Sequence, residues 1–390
     1  MGARLRHRRA VPNLHRPSHR GLLARGVWPV GKASTDAIVI PAVRDAHGLK
    51  GAMQLAVALD CPIVVLCSYD SHAVDVVAIA AAVGAHAVAV DATKVAALSR
   101  LETTRILDGT QFRRSADTPV KRNLGLAIAR MVGWRRILLL DDDVTGVVSE
   151  EVSAAAGLLG EYDIVGMKNT GFHDNSVVCH ANRDTGGTQG TFIGAGAMLI
   201  NSCRTQSFFP DIYNEDWLYL LDEDGLAKSA EYGTFYQAIF DPYAEPERAA
   251  SQELGDCLAE GIYALLDHGR PPIAADRYFW AEFLFQRQAF IEEILHRLSR
   301  SRRRDIPKAA MEESLAAARV SLAAIKPSLC ASYIKAWRRD RHDWSDWIEA
   351  LPTSITIDEA LHNLGQKFEV NQPANSGRTE FESAWSAVTS

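Results

Sequence analysis

Three consecutive aspartates, Asp141, Asp142 and Asp143, follow the apolar run Ile137-Leu138-Leu139-Leu140. Four such residues in a row suit a strand buried on both faces of a parallel sheet, which puts the acids where the strand leaves the core. Open α/β sheets place ligands at that edge. Side chains alternate along an extended chain, so Asp141 and Asp143 are expected on one side and Asp142 on the other, an Asp-x-Asp spacing. Two hard oxygen donors on one side suit Mg2+ or Mn2+, and a divalent ion that keeps open positions can take up a diphosphate. Aspartates also end strands and cap helices without doing chemistry, but three after one buried run exceed what that role requires.

The segment feeding this strand carries a second signal. Val120, Leu124, Ala127, Ile128, Met131 and Val132 fall at helical spacing, and Lys121-Arg122-Asn123 stand at the start of that amphipathic helix. A basic first turn with open backbone N–H groups attracts anions, which beside a metal-binding strand end points to a phosphorylated ligand. The plain alternative is a solvated helix end.

Upstream, a regular alternation positions these groups. Ala37 to Ile40 reads as a strand, Leu49 to Leu59 as a helix, Ile63 to Cys67 as a strand, Val74 to Val83 as a helix and Ala85 to Val90 as a strand. This repetition implies a parallel sheet with right-handed crossovers. Tyr162 to Met167 reads as a further strand, and 168–188, rich in Gly, Asn, Asp and His, reads as a mobile site loop carrying His173 and His180. Gly194 and Gly196 flank Ala195 in an apolar strand running to Ile200, where glycine marks close approach of a ligand or of backbone. The last third carries helical stripes, among them Leu254, Leu258, Ile262 and Leu265. Trp337, Trp344 and Trp347 either bind sugar faces or pack.

The stretch KRNLGLAIARMVGWRRILLLDDD resembles the signature of GT-A nucleotide-sugar glycosyltransferases, in particular the family-2-like group. GTFIGAGAMLINS followed by FFPDIYNEDW resembles that group's Gly-rich acceptor-side strand and its Glu-Asp motif. The likeness implies a GT-A (Rossmann-like) α/β domain over 36–245, a mostly parallel sheet flanked by helices. It implies a UDP- or GDP-sugar donor, a hydroxyl acceptor and transfer that inverts the anomeric centre. Asp141 and Asp143 take the metal, Mn2+ or Mg2+, and Asp216 is the base with Glu215 beside it. Pro41, Arg44, Asp70, Lys121, Arg122, Asn123 and Asp142 fall on the donor side, and Gly194, Gly196 and Trp217 on the acceptor side. Two features depart from the pattern. The second strand ends in Cys67-Ser68-Tyr69-Asp70 and not in an Asp-rich turn, and no basic residue closely follows Glu215-Asp216.

Two other classes fit parts of the sequence. Asp141-Asp142-Asp143-Val144-Thr145 satisfies the Asp-x-Asp-x-Thr pattern that opens haloacid dehalogenase-type phosphatases, although four βα-like elements precede it. A glycosyltransferase fold that binds a nucleotide sugar without catalysis is the third reading.

Length and composition set the frame. The chain has 390 residues, 47% of them hydrophobic, enough for a large core, and its net charge of −6 argues against a general nucleic-acid binder. Six cysteines without a CxxC pair read as reduced thiols in a cytoplasmic protein. The most apolar stretch, Ala73 to Val90, is broken by Asp75, Gly84 and His86, so no transmembrane span is expected and any membrane contact would be peripheral. Residues 1–35 hold seven arginines and no acid, and are expected to form a disordered basic arm. Residues 246–390 are expected to form a helical carboxyl-terminal extension.

Overall fold

Nine strands form one sheet in a computed structural model that describes residues 14–15, 17–24, 26–92, 101–114, 116–173 and 175–372. They are β1 (Ala37–Ala42), β2 (Ile63–Cys67), β3 (Ala87–Asp91), β4 (Arg136–Leu140), β5 (Val144–Thr145), β6 (Ile164–Asn169), β7 (Ala197–Asn201), β8 (Ser229–Gln237) and β9 (Lys367–Asn371). The helices are α1 (Lys50–Leu59), α2 (Ala73–Val83), α3 (Glu102–Leu107), α4 (Thr118–Val132), α5 (Ser149–Leu158), α6 (Val177–Asp184), α7 (Glu215–Tyr219), α8 (Pro246–Asp267), α9 (Arg277–Arg300), α10 (Lys308–Ala324), α11 (Pro327–Glu349) and α12 (Ile357–Asn363). None of the described helices is long and apolar enough to cross a membrane.

The chain divides into a sheet unit, residues 23–174, 192–241 and 335–390, and a helical unit, residues 1–22, 175–191 and 242–334. In the sheet unit the strand order is β5-β8-β6-β7-β4-β1-β2-β3-β9. β1 to β4 pair in parallel among themselves, as the βα alternation requires, and β2 is buried along its whole length. The expectation of a mostly parallel sheet does not hold, because β7 enters antiparallel between β4 and β6, β9 returns antiparallel on β3, and β5 pairs antiparallel with β8. The architecture is α/β with a mixed sheet.

One close approach sets the seat of α4. A Cβ at Gly125 would lie 2.5 Å from Val39 Cγ1, so glycine lets the helix lie directly on β1. The helix stops at Gly133, whose φ of 88° any other residue would resist, and Asp36 then accepts from the Arg135 and Arg136 N–H groups to start β4.

The helical unit contains α6, α8, α9, α10 and the first part of α11. α8 is buried on most of its surface, and Arg287 of α9 reaches Glu253 and Asp256 on it. Residues 177–184 are helix α6, so the expected loop is interrupted, and His180 lies on that helix. Of the amino-terminal arm, 1–13, 16 and 25 lie outside the described residues. Among the described residues of the arm, Leu14 N–H donates to Gln286 Oε1, and buried His19 meets Glu260 and Asp267. Trp337 and Trp344 are buried and therefore pack.

Candidate functional site

The acidic triplet departs from the extended geometry expected of it. β4 ends at Leu140, and Val144 N–H donates to Asp141 O across a turn, so strict alternation ends before Asp142. Asp142 and Asp143 consequently share a partner. Arg44 forms ion pairs with both, and its contact with Asp143 Oδ2 is 3.0 Å. Asp142 is the buried member, and its Oδ2 accepts from the Val43 and Arg44 N–H groups at 2.8 and 3.0 Å. It fastens the loop after β1. Asp143 Oδ1 accepts from Gln237 Nε2 at 2.7 Å.

Arg122 joins the two acidic motifs. Its Nη2 donates to Asp141 Oδ1 and its Nη1 to Glu215 Oε1, each at 2.7 Å, while its guanidinium lies 5.4 Å from the centre of the Phe209 ring. Phe209 is stacked in turn on Tyr219 of α7. Ala195 and Gly196 make a second connection: Ala195 N–H donates to Asp216 Oδ2 at 3.0 Å, and Gly196 O accepts from Asp141 N–H at 2.9 Å. Gly196 therefore stands immediately before β7, and both expected glycines precede the strand. A side chain there would crowd Phe235, with Asp141 Oδ2 3.9 Å from the added carbon.

Among the described residues, Asp216 is oriented by backbone N–H groups. Its Oδ1 accepts from Trp217 N–H at 2.9 Å, and each carboxylate oxygen keeps a lone pair for another donor. α7 begins after Asn214, which takes the left-handed conformation at φ 59° and turns the chain so that Glu215 and Asp216 open the helix. Trp217 is half-buried, its ring edge-on to Phe192.

Lys121 and Asn123 are structural in their contacts. α4 starts at Thr118, three residues earlier than expected, and Lys121 N–H is already paired with Asp117 O. The Lys121 side chain is buried; its Nζ donates to Ala42 O at 2.7 Å and Ser68 Oγ at 2.5 Å, and pairs with Asp117 at 3.2 Å. It thus ties the ends of β1 and β2, and burial lowers its pKa against the pull of Asp117. The Asn123 amide donates to Phe209 O and accepts from Phe209 N–H, both at 2.8 Å, as a strand would. It holds in place the ring beneath Arg122.

Pro41 lies inside β1, buried, beyond the last β1–β4 pair at Val39, where a missing N–H interrupts no ladder with β4. Asp70 is exposed in the loop after β2, and its N–H donates to Val43 O. Gly194 is half-buried, and His173 is exposed. Asp141, Asp142, Asp143, Arg44, Arg122, Glu215, Asp216 and Gly196 are thus brought together, whereas Lys121, Asn123 and Pro41 support them from behind. Gln237 and Phe209 were missed. Gln237 carries no local signal; the β5–β8 register sets it opposite Val144, next to Asp143. Phe209 stood within the quoted FFPDIYNEDW block.

The electrostatics favour a cation. Five carboxylates, Asp141, Asp142, Asp143, Glu215 and Asp216, are grouped with the guanidiniums of Arg44 and Arg122, with Arg114 acting on Glu215 and Lys121 near Asp142. Burial raises the pKa of Asp141 and of Asp143; Arg122 and Arg44 respectively oppose the rise, and neighbouring acids add to it. Burial also raises Glu215 to about 7, with Arg122 opposing and Asp216 reinforcing the shift. Hard oxygen donors of this kind suit a divalent ion, and Asp141 and Asp143 are the residues that could hold one.

No protein-family model matches the chain, and no curated protein matches it. Among solved structures, the chain is similar to the mannosyltransferase PcManGT from Pyrobaculum calidifontis in complex with GDP-Man and Mn2+. Identity is 12% and the TM-score 0.41, over 82% of this chain and 91% of that one.

Proposed function

We propose that the protein is a glycosyltransferase that moves a sugar from a nucleotide-sugar donor to an acceptor hydroxyl, inverts the anomeric centre and requires Mn2+ or Mg2+. The observation that carries this reading is the Arg122 bridge, which joins the Asp141 end of β4 to the Glu215 start of α7. On this reading the metal-binding pair is Asp141 with Asp143, and the bridge supports it by bringing the Glu215-Asp216 motif to the end of the same strand. Asp141 and Asp143 would hold the divalent ion, which when bound neutralises charge growing on the departing nucleoside diphosphate. Arg44, exposed beside Asp142 and Asp143, is the cation that would meet the donor diphosphate, a role for which no basic residue closely follows Glu215-Asp216. Asp216 takes the proton of the acceptor hydroxyl, its orientation fixed by Ala195 and Trp217 N–H groups. Glu215 holds Arg122 in place.

The phosphatase reading rests on the Asp141-x-Asp143-x-Thr145 motif. Thr145, the third element of that motif, is exposed and donates to Tyr236 O. This exposure and contact speak against it.

Thermal denaturation of the whole protein with UDP- and GDP-sugars, with and without Mn2+, tests the proposal. Metal-dependent stabilisation by one donor is expected, worth about 2.7 kcal/mol at a hundredfold excess over Kd. Asp143→Ala should abolish it and leave cooperative unfolding intact. Donor binding that ignores both metal and this substitution would refute the assignment.

A further inference from the structure

Strand directions bring three loops to one edge of the sheet. β7 is antiparallel to both β4 and β6, and β6 is parallel to β8, so the carboxyl ends of β4, β6 and β8 lie on the same edge. β4 delivers the acidic triplet there, β6 the turn Thr170-Gly171-Phe172, and β8 the stretch Ala238-Ile239-Phe240, all within the sheet unit. We propose that the last two loops form an apolar subsite for the hydrocarbon part of an amphiphilic hydroxyl acceptor. The subsite presupposes the glycosyltransferase reading and names the class of acceptor it serves.

The two loops are built against one another. Thr170 N–H and Oγ1 both donate to Phe235 O at 2.8 Å. A side chain at Gly171 would overlap Gln237 O, so glycine lets the turn press onto the end of β8. Phe172 then meets Phe240 edge to face, with centroids 5.0 Å apart. Both rings are half-buried, whereas Ile239 is 73% exposed and Ala238 is exposed beside it. Neither 170–172 nor 238–240 carries a charged residue, a composition that suits hydrocarbon and not phosphate.

This apolar surface adjoins the chemistry on two sides. Gln237, the residue before Ala238, donates to Asp143 at 2.7 Å and accepts from Asn169 Nδ2 at 3.1 Å. The β8 loop therefore begins at the residue that holds a candidate metal ligand. Asp216, the candidate base, accepts from Ala195 N–H, and the neighbouring Gly196 lies against Phe235 of β8. An acceptor whose hydroxyl meets Asp216 thus sits on the edge that carries Ile239 and Phe240. Single exposed apolar side chains are ordinary, but here they are contiguous and stand at the rim of a polar site, as in pockets that bind a ligand's apolar part. A hydrocarbon chain laid on them gains about fourfold in affinity for each methylene that leaves water.

The test compares methyl β-glucoside with n-octyl β-glucoside below its micelle concentration, by ligand-observed NMR on the full chain with Mg2+ present. The octyl compound should bind about tenfold more tightly or better. Ile239→Ser, at an exposed position outside the core, should weaken octyl binding about fivefold or more and narrow the difference between the two probes. Paramagnetic Mn2+ in place of Mg2+ should broaden the octyl-chain resonances, because the chain lies beside the metal pair. The proposal is overturned if chain length makes no difference, if Ile239→Ser binds the octyl compound normally, or if Mn2+ supports donor stabilisation yet leaves the octyl resonances sharp. It is equally overturned if the protein sediments with phosphatidylcholine vesicles through Ile239 but binds no monomeric octyl compound, which would make the loops a bilayer contact. Failure of the glycosyltransferase reading shows separately, as the absence of metal-dependent stabilisation by any nucleotide sugar. Octyl binding that requires Ile239 would still uphold the apolar subsite.

Discussion

Two buried arginines, Arg122 in the sheet unit and Arg287 in the helical unit, each hold two carboxylates, and they differ in what those carboxylates face. Arg287 binds Glu253 and Asp256, one turn apart on α8, with side chains 1% and 4% exposed. Arg122 binds Asp141 and Glu215, from a strand end and a helix start far apart in sequence, with side chains 26% and 15% exposed. The helical-unit cluster is sealed around its acids, so its charges serve packing. The sheet-unit cluster leaves its acids open on one side, where a cation or a substrate can reach them. A buried guanidinium therefore says little about function until the exposure of its partners is known.

The largest expected effect breaks the sealed cluster. Arg287→Met should cost about 3–5 kcal/mol in urea denaturation, because two buried carboxylates lose the guanidinium that pairs with both. Arg122→Met should cost less, about 1–3 kcal/mol, since Asp141 and Glu215 can recover part of their hydration. Equal losses would erase the distinction.

The sealed unit should also show its charges in stability against pH. Burial opposes a charge on His19, yet Glu260 and Asp267 prevail and raise its pKa from 6.5 to about 9. A group whose folded-state pKa is raised contributes stability that is complete below the unfolded value and is lost as pH rises through the folded one. We expect roughly 3 kcal/mol present at pH 6 and gone above about pH 9. His19→Gln should flatten that part of the profile. A stability curve indifferent to this substitution across the window would mean that the ion pair contributes nothing.

At the open cluster the effect should fall on rate. Asp216→Asn keeps the shape and removes the basicity, so kcat for nucleoside diphosphate release should drop on the order of a hundredfold or more, with donor and Mn2+ binding unchanged. Glu215→Gln should be milder. The reverse order would move the base to Glu215.

Much of this edge was legible in the sequence, and the failures have physical causes. The run Ile137–Leu140 and the helical spacing from Val120 to Val132 identified β4 and α4 because local burial patterns write themselves into sequence. The antiparallel entries of β7 and β9 were not legible, since pairing partners are chosen by contacts far along the chain. Lys121 read as a solvated or anion-binding end because charged side chains are seldom buried; here backbone carbonyl, hydroxyl and Asp117 satisfy it. The contacts of His19 were not legible either, since it meets acids on a helix more than two hundred residues away.

The smallest expected effect is the sharpest test of exposure as the deciding variable. Asp142 belongs to the open cluster by sequence and position, yet its side chain is only 4% exposed, as in the sealed one. Its oxygens accept from Val43 N–H, Arg44 N–H and the Arg44 guanidinium, three donors that hold the loop after β1. Asp142→Asn keeps one carbonyl acceptor for the backbone donors and loses the charge that attracts Arg44. The expected cost is about 1 kcal/mol of stability, the usual net value of such a hydrogen bond, with Mn2+-dependent donor binding preserved. Asp143→Ala should do the opposite, sparing stability and losing the metal response. If Asp142→Asn abolished metal dependence while stability stayed unchanged, the triplet would act as a unit and exposure would not separate the structural acid from the chemical ones.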